Sequence, residues 1–301
     1  MSAAPRIAMT PTVGASLRLT GEGLTPSQLE TTIARAIEDY YTPLYRDLLG
    51  HEDWRAHVDK RQREDESFLS LLGAVEAEVL GHRVGGGRVR VVGAGTGADV
   101  CGFSRRGCEC WGVEPHAPAL EIARLKALRA GLDPQRLVHA PGEALPFPDA
   151  SFDLVWSWTV LEHVQDVRAT LSEMVRVLRP GGEMYVGTVD YRQFWEPHYK
   201  THAPCFLGKG ATRLWLRLSG RDTRFVDSLQ FISARGVGNI LRDLGVHALR
   251  ALAPLPASVR SPACRGDELI AWITRGLGID CVQHWLVRKP AANLPTGVRA
   301  R

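Results

Sequence analysis

The stretch that decides the fold is Arg88–Pro115, RVRVVGAGTGADVCGFSRRGCECWGVEP. It opens on a short apolar run, Val89–Val92, of the kind that forms a buried strand. Gly93, Gly95 and Gly97 follow at alternate positions. Ala98–Arg106 can be helical, and Gly107 is placed to end it. A second apolar run, Cys108–Val113, finishes at an acid, Glu114. Strand, glycine turn, helix, strand and acid form one βαβ unit. Its glycines let the backbone turn tightly and approach a ligand without a Cβ in the way. Glu114, at the carboxyl end of the second strand, can accept hydrogen bonds from ribose hydroxyls. A dinucleotide loop needs G-x-G-x-x-G, and here Ala98 stands where the third glycine would be. No G-K-[ST] follows, so the stretch is not a phosphate loop.

Working outward, Pro118–Ala130 reads as a helix ended by Gly131, and Arg136–Ala140 as a third short strand. Then comes Gly142–Gly182, GEALPFPDASFDLVWSWTVLEHVQDVRATLSEMVRVLRPGG. Phe152–Trp158 is a buried strand. Val167–Leu178 is an amphipathic helix with Leu171, Met174, Val175 and Leu178 inward. Pro180-Gly181-Gly182 stops it and leads into a strand over Glu183–Val189.

With VVGAGTG followed by an acid, the first stretch resembles the class I S-adenosylmethionine (SAM)-dependent methyltransferases. The order ALPF, SFD, strand, LEHV and LRPGG resembles their ubiquinone-biosynthesis-like (type 11) branch, and the resemblance runs from Arg88 to Gly182. It implies an α/β, doubly wound, seven-stranded and mainly parallel Rossmann-like sheet, with SAM as cofactor. The last two strands would be an antiparallel pair, here Val246–Leu252 and Cys281–Val287. Cofactor contacts are expected at Gly93, Ala94, Gly95, Gly97, Glu114 and Pro115. Further contacts are expected at Gly142, Glu143, Ala144, Ser157 and Trp158. The family usually has an acid two positions before the glutamate of E-A-L-P-F, and Pro141 stands there. Adenine must then be met by backbone at Gly142–Ala144, by Glu143 or by water.

N-terminal to the core, Thr25, Pro26 and Gln28 form a helix start with a capping box, and Leu29, Ile33, Ile37 and Tyr40 recur at helical spacing. A second helix is expected over Asp65–Leu80. These helices resemble the lid of small-molecule methyltransferases, with Tyr40, Tyr41 and Tyr45 facing the cofactor or packing the helices together. Beyond the fifth strand, residues 190–233 break the regular pattern and are long for a connection inside a compact domain. They carry Trp195, His198, Tyr199, His202, Phe206 and Trp215, with basic residues interleaved, and read as a substrate cap. The expected divisions are a tail (1–24), lid helices (25–84), core (85–189), cap (190–233), the rest of the core (234–290, with a linker over Pro254–Gly266) and a tail (291–301).

Composition narrows the class. The chain has 301 residues, 45% hydrophobic and 23% charged, with a net charge of +4. That is globular, and too weakly basic to imply nucleic acid by itself. No apolar run reaches the ~18 residues of a membrane span. The opening residues lack an apolar signal core, and the six cysteines are scattered. The expectation is a reduced, cytoplasmic protein with no membrane partner, for which a homodimer is compatible.

An oxygen or amine acceptor must lose a proton, and neutral histidine is the usual base. His163, just after the fourth strand, and His198 and His202 in the cap are candidates. Asp190 and Tyr191, directly after the fifth strand, would line the pocket. His198 and His202 at i, i+4 could hold a metal on a helix, but no acid-rich partner set stands nearby, so no metal is expected. The function read from these features is a SAM-dependent methyltransferase acting on a small molecule, at oxygen of a ring or sugar. The alternatives are an RNA methyltransferase and a SAM-using enzyme that breaks another carbon–sulfur bond. Nucleic acid is disfavoured because the cap's basic residues alternate with apolar ones, as on an amphipathic helix.

Overall fold

The computed structural model describes residues 23–251 and 282–291. The expected linker over Pro254–Gly266 and most of both expected tails lie outside them. The described elements begin with α1 (Pro26–Thr42), α2 (Trp54–Gln62) and α3 (Glu64–Val75). The core follows as β1 (Arg88–Val92), α4 (Ala98–Arg105), β2 (Glu109–Val113), α5 (Ala117–Arg129), β3 (Leu137–Val138), β4 (Phe152–Trp158), α6 (Val167–Val177) and β5 (Leu178–Val189). Then come α7 (Lys209–Leu218), α8 (Arg224–Ser228), α9 (Ala234–Asp243), β6 (His247–Ala251) and β7 (Val282–Arg288).

The strands form one seven-stranded sheet in the order β3-β2-β1-β4-β5-β7-β6. β1 to β5 run parallel, and β7 is antiparallel to both β5 and β6. Parallel strands are covered on both faces, which is why β1 and β4 read as near-continuous apolar runs. On one face Phe68 of α3 and Phe103 of α4 pack edge-on against Trp156, which stacks on Tyr185 at 4.2 Å. On the other face Leu171, Met174, Val237 and Leu241 close the core from α6 and α9.

The capping box at Thr25 and Gln28 is formed, and Leu29, Ile33, Ile37 and Tyr41 are the buried stripe of α1. Three details depart from expectation. Trp54–Gln62 is a helix that the apolar pattern does not announce, because only Val58 of its nine residues is buried. The third strand shrinks to Leu137–Val138. The fifth begins at Leu178, so Pro180-Gly181-Gly182 lies inside its irregular start, where Gly181 takes φ +73°.

Lid and cap share a core. Leu29, Ile33, Tyr41, Tyr45 and Val58 from the lid pack in one cluster with Tyr191, Tyr199, Leu216, Phe225 and Val226 from the cap. The cap leaves and re-enters at one neck, where Tyr191 N donates to Ile232 O at 3.0 Å and Gln230 N donates to Glu162 O at 2.7 Å. Both layers lie over the carboxyl edge of the parallel strands, the edge where ligands bind in open α/β sheets.

Candidate active site

The glycine loop is shaped for a ligand. Gly93, Gly95 and Gly97 all take positive φ, +73°, +50° and +88°. A Cβ at Gly93 would lie 2.4 Å from Val160 Cγ2, and one at Gly97 would lie 2.9 Å from the backbone of Ala123. A Cβ at Gly95 would meet nothing within 4 Å. Two glycines therefore let β4 and α5 close in, and the middle one presents bare backbone to open space.

Glu114 stands beside that backbone. Its Oε2 accepts from Gly95 N at 2.9 Å and its Oε1 from His116 N at 2.9 Å. Each oxygen keeps a lone pair for a further donor. Burial raises its pKa, and the two amides act against that rise. Tyr40 packs on His116, with ring centroids 5.4 Å apart, so α1 reaches the turn that follows Glu114.

The lid also supplies charge, which the sequence pattern does not reveal. Arg61 Nε donates to the Tyr45 hydroxyl at 2.8 Å, and its guanidinium lies 4.9 Å from the Tyr41 ring. Glu64, at the start of α3, accepts from the Thr96 hydroxyl of the glycine loop and from Lys126 Nζ at 2.9 Å. Lys126 also meets Asp65 at 2.5 Å, and Asp65 meets Arg129 at 2.7 Å. Burial would raise the Glu64 pKa, but Lys126 and Arg61 hold it below the usual carboxylate range. A buried lysine on a helix otherwise facing the core is the one trace of this network in the sequence.

At the far end of the cleft, β4 ends in a strained turn: Thr159 takes φ +52° and its N–H donates to Gly187 O at 2.7 Å. The turn delivers Glu162 and His163. His163 is exposed on its outer side, and the protein packed around it, with His198 nearby, pushes its pKa below the ordinary histidine value. The rings of His163 and His198 stand edge to face at 5.1 Å. Behind His198, Glu196 is fully buried; its Oε1 lies 2.9 Å from His198 Nδ1, and its Oε2 accepts from Tyr199 N at 2.7 Å. Burial works against a charged His198, but Glu196 outweighs it and raises the pKa above the ordinary histidine value. The acid engages Nδ1, so Nε2 is the ring nitrogen that this pair does not use.

Among the described residues, Glu162, His163 and His198 bring three ligand-type atoms within 4.8 Å of one another. This set could hold a cation. His198 and His202, whose spacing would place two ligands on one face of a helix, are not on a helix: the backbone there is a bridged turn, and His202 packs on Trp195 at 4.9 Å. A second set, His51, Asp53 and His57, has Lys200 against His57 and 3.5 Å from Asp53, so an ammonium already occupies the cation position.

The other candidates take supporting places. Asp190 is fully buried and paired with Arg192 at 2.6 Å, which suits it to holding the cap neck rather than taking a proton. Tyr191 stacks on Phe231 at 4.1 Å. Ser157 is fully buried in β4, and the Trp158 ring covers Gly187 and stacks with His284 at 5.8 Å. Glu143 Oε1 accepts from Gln165 N at 2.7 Å, bracing the loop before α6. Pro115 O accepts from His139 Nε2 at 2.8 Å, so it lies beside the Glu114 turn. A Cβ at Gly142 would press on Thr170 Cγ2 at 3.0 Å, so Gly142 packs against α6, and Ala144 N bonds back to Pro141 O at 3.4 Å.

Comparison with known proteins bears on this arrangement. Residues 91–186 match the model of a methyltransferase domain. They form a class I, SAM-dependent methyltransferase domain. An uncharacterised methyltransferase of Bacillus subtilis (strain 168), YcgJ, is 37% identical over 95 residues, which is 32% of this chain and 38% of that protein. A demethylmenaquinone methyltransferase of Tropheryma whipplei (strain Twist) is 35% identical over 156 residues, 49% of this chain and 64% of that protein. The solved structure of Bacillus subtilis YcgJ superposes with a TM-score of 0.48 at 19% identity, covering 75% of this chain and 99% of that one. The chain spans 37% to 38% of the length of the first curated relatives it matches. The match of the methyltransferase domain begins at β1 and ends within β5, so the lid and the cap lie outside it.

Proposed function

We propose that the chain transfers the methyl group of SAM to a hydroxyl oxygen of a small-molecule acceptor. The observation that carries this reading is the Glu196–His198 pair, set beside His163 under the cap at the carboxyl edge of β4 and β5. The cleft fits the cofactor: the Gly93–Gly97 loop accepts its approach, Glu114 has lone pairs for ribose hydroxyls, and Arg61 supplies a cation for an amino-acid carboxylate. Gly142 to Ala144 would meet adenine through backbone, since Pro141 offers no side-chain acceptor.

When bound, SAM supplies an electrophilic methyl on a positively charged sulfur. The protein's work is to align the acceptor and manage its proton. The acceptor hydroxyl donates to His198 Nε2. His198 Nε2 would take the acceptor's proton as the hydroxyl oxygen receives the methyl. Glu196 stabilises the imidazolium through Nδ1, and neutral His163 contributes a hydrogen bond at the same mouth. Tyr40, Tyr41 and Tyr45 cover the cleft from the lid and exclude water. Alignment of two bound reactants alone can supply about 7–11 kcal/mol. Similarity to a protein named for demethylmenaquinone favours a ring-bearing acceptor. The test is incubation with methyl-labelled SAM and a cell extract. Label in the low-mass fraction is expected. Label in RNA or protein, or retained in methylthioadenosine, overturns the reading.

A further inference from the structure

Among the described residues, seven large hydrophobic side chains are exposed, and five of them fall within the thirteen positions from Phe206 to Leu218. Phe206, Leu207, Leu214, Trp215 and Leu218 are each between 45% and 77% exposed. The cap elsewhere is well packed, so this is not general looseness. Helix α7 is pinned by Leu216 and Thr212, both fully buried, and by Lys209 Nζ donating to Asp227 O at 3.2 Å. At about 100° per residue, Leu214 and Leu218 point directly away from that anchored side, Trp215 lies on one flank, and Arg213 and Arg217 lie on the other.

We propose that this face of α7, with the Phe206–Leu207 turn before it, docks onto an anionic lipid surface. Charge selects the occupant. Between Cys205 and Ser228 the chain carries Lys209, Arg213, Arg217, Arg221 and Arg224 against Asp222 and Asp227, a local excess of three positive charges. A second copy in two-fold contact would set this basic face against itself. Hot spots of protein contacts favour tryptophan, tyrosine and arginine and under-use leucine, whereas leucine holds three of the five exposed positions here. Single-stranded nucleic acid stacks on aromatic rings, and the outermost residues here are aliphatic. A lipid surface suits all three features: leucine and phenylalanine enter the acyl boundary, tryptophan sits at headgroup level, and long basic side chains reach the phosphates. No helix of the described residues is long and apolar enough to cross a membrane, and α7 has ten residues, so it would lie on the surface. This docking rests on the exposed face and not on methyl transfer.

The test is co-sedimentation of the full chain with vesicles of phosphatidylcholine alone or with about 30 mol% phosphatidylglycerol. Expected is binding to the anionic vesicles, weakened by salt, with about tenfold or greater loss in both L214E/L218E and R213E/R217E. Circular dichroism and binding of labelled SAM, unchanged in these variants, would show that the fold and the cofactor cleft are intact. Absence of binding to anionic vesicles overturns the proposal. So does binding that survives L214E/L218E, which would reduce it to headgroup electrostatics. A dimer in sedimentation velocity that L214E/L218E dissolves, without vesicle binding, also overturns it, in favour of self-association. Failure of methyl transfer with vesicle binding intact would count against the enzymatic reading alone.

Discussion

Glu196 and His198 are two positions apart in the cap, and the carboxylate of one lies 2.9 Å from Nδ1 of the other. The turn closed by the Glu196–Thr201 bridge holds the His198 ring edge to face with His163, centroids 5.1 Å apart. A general base must be neutral to act, and Glu196 raises the pKa of His198. Activity should therefore rise with pH through a value above the ordinary histidine one. In Glu196→Gln the rise should move to lower pH and kcat should fall by roughly 10–100-fold. A pH–rate profile whose acidic limb does not move would remove His198 from the base role.

The glycine loop allows a cleaner separation of folding from binding. Gly95→Ala adds a Cβ to open space, so its cost is the strain of φ +50°, about 1 kcal/mol. Gly93→Ala adds strain at φ +73° and a clash with Val160, and should lose about 2–4 kcal/mol. Calorimetry should show that both weaken SAM binding at least about tenfold, while only Gly93→Ala melts markedly earlier.

Glu114 is set by two backbone amides before any ligand arrives. Glu114→Ala should weaken SAM binding by about 2–3 kcal/mol, the worth of charged hydrogen bonds, and loosen the Gly95 turn. Titration calorimetry with SAM checks this, and an unchanged dissociation constant would remove Glu114 from the ribose site.

Lys126 is buried between Glu64 and Asp65. Lys126→Met removes the cation that Glu64 and Asp65 share, leaving Glu64 with Arg61 at 3.5 Å and Asp65 with Arg129 at 2.7 Å, and should destabilise by about 3 kcal/mol, the low end for a broken buried pair. Chemical denaturation measures it. Because Glu64 also holds Thr96, a secondary loss of SAM affinity is expected.

His284 is buried beside Tyr185, and burial, with Arg250 nearby, pushes its pKa down to about 4. The folded pKa lies below the unfolded one, near 6.5, so the unfolded chain binds more protons between those values. Stability should be full above about pH 6.5 and fall by about 3 kcal/mol as pH drops to 4. A melting curve against pH that is flatter in His284→Gln than in the parent would confirm the source.

The lid and the cap show where reading from sequence stops. Leu29, Ile33 and Ile37 repeat at helical spacing because one face of α1 must be buried, and that stripe is visible without coordinates. α2 has no such stripe, since its single buried position, Val58, gives no period, and so its Arg61 stayed out of sight. Glu64 looks like any acid at a helix start; its partners Thr96 and Lys126 lie 32 and 62 positions away.

The sequence by itself determined the sheet and the cofactor edge. Strand runs, three alternating glycines and an acid at a strand end are local signals, since backbone conformation and burial periodicity are set by near neighbours. The tertiary structure alone decided which side chains meet in the cleft. The pairing of Glu196 with His198 against His163, the ion-pairing that takes Asp190 into the cap neck, and the charge network from lid to glycine loop all depend on side chains brought together from distant segments. Their pKa values and roles come from burial and from partners, and neither is written in the spacing of residues along the chain.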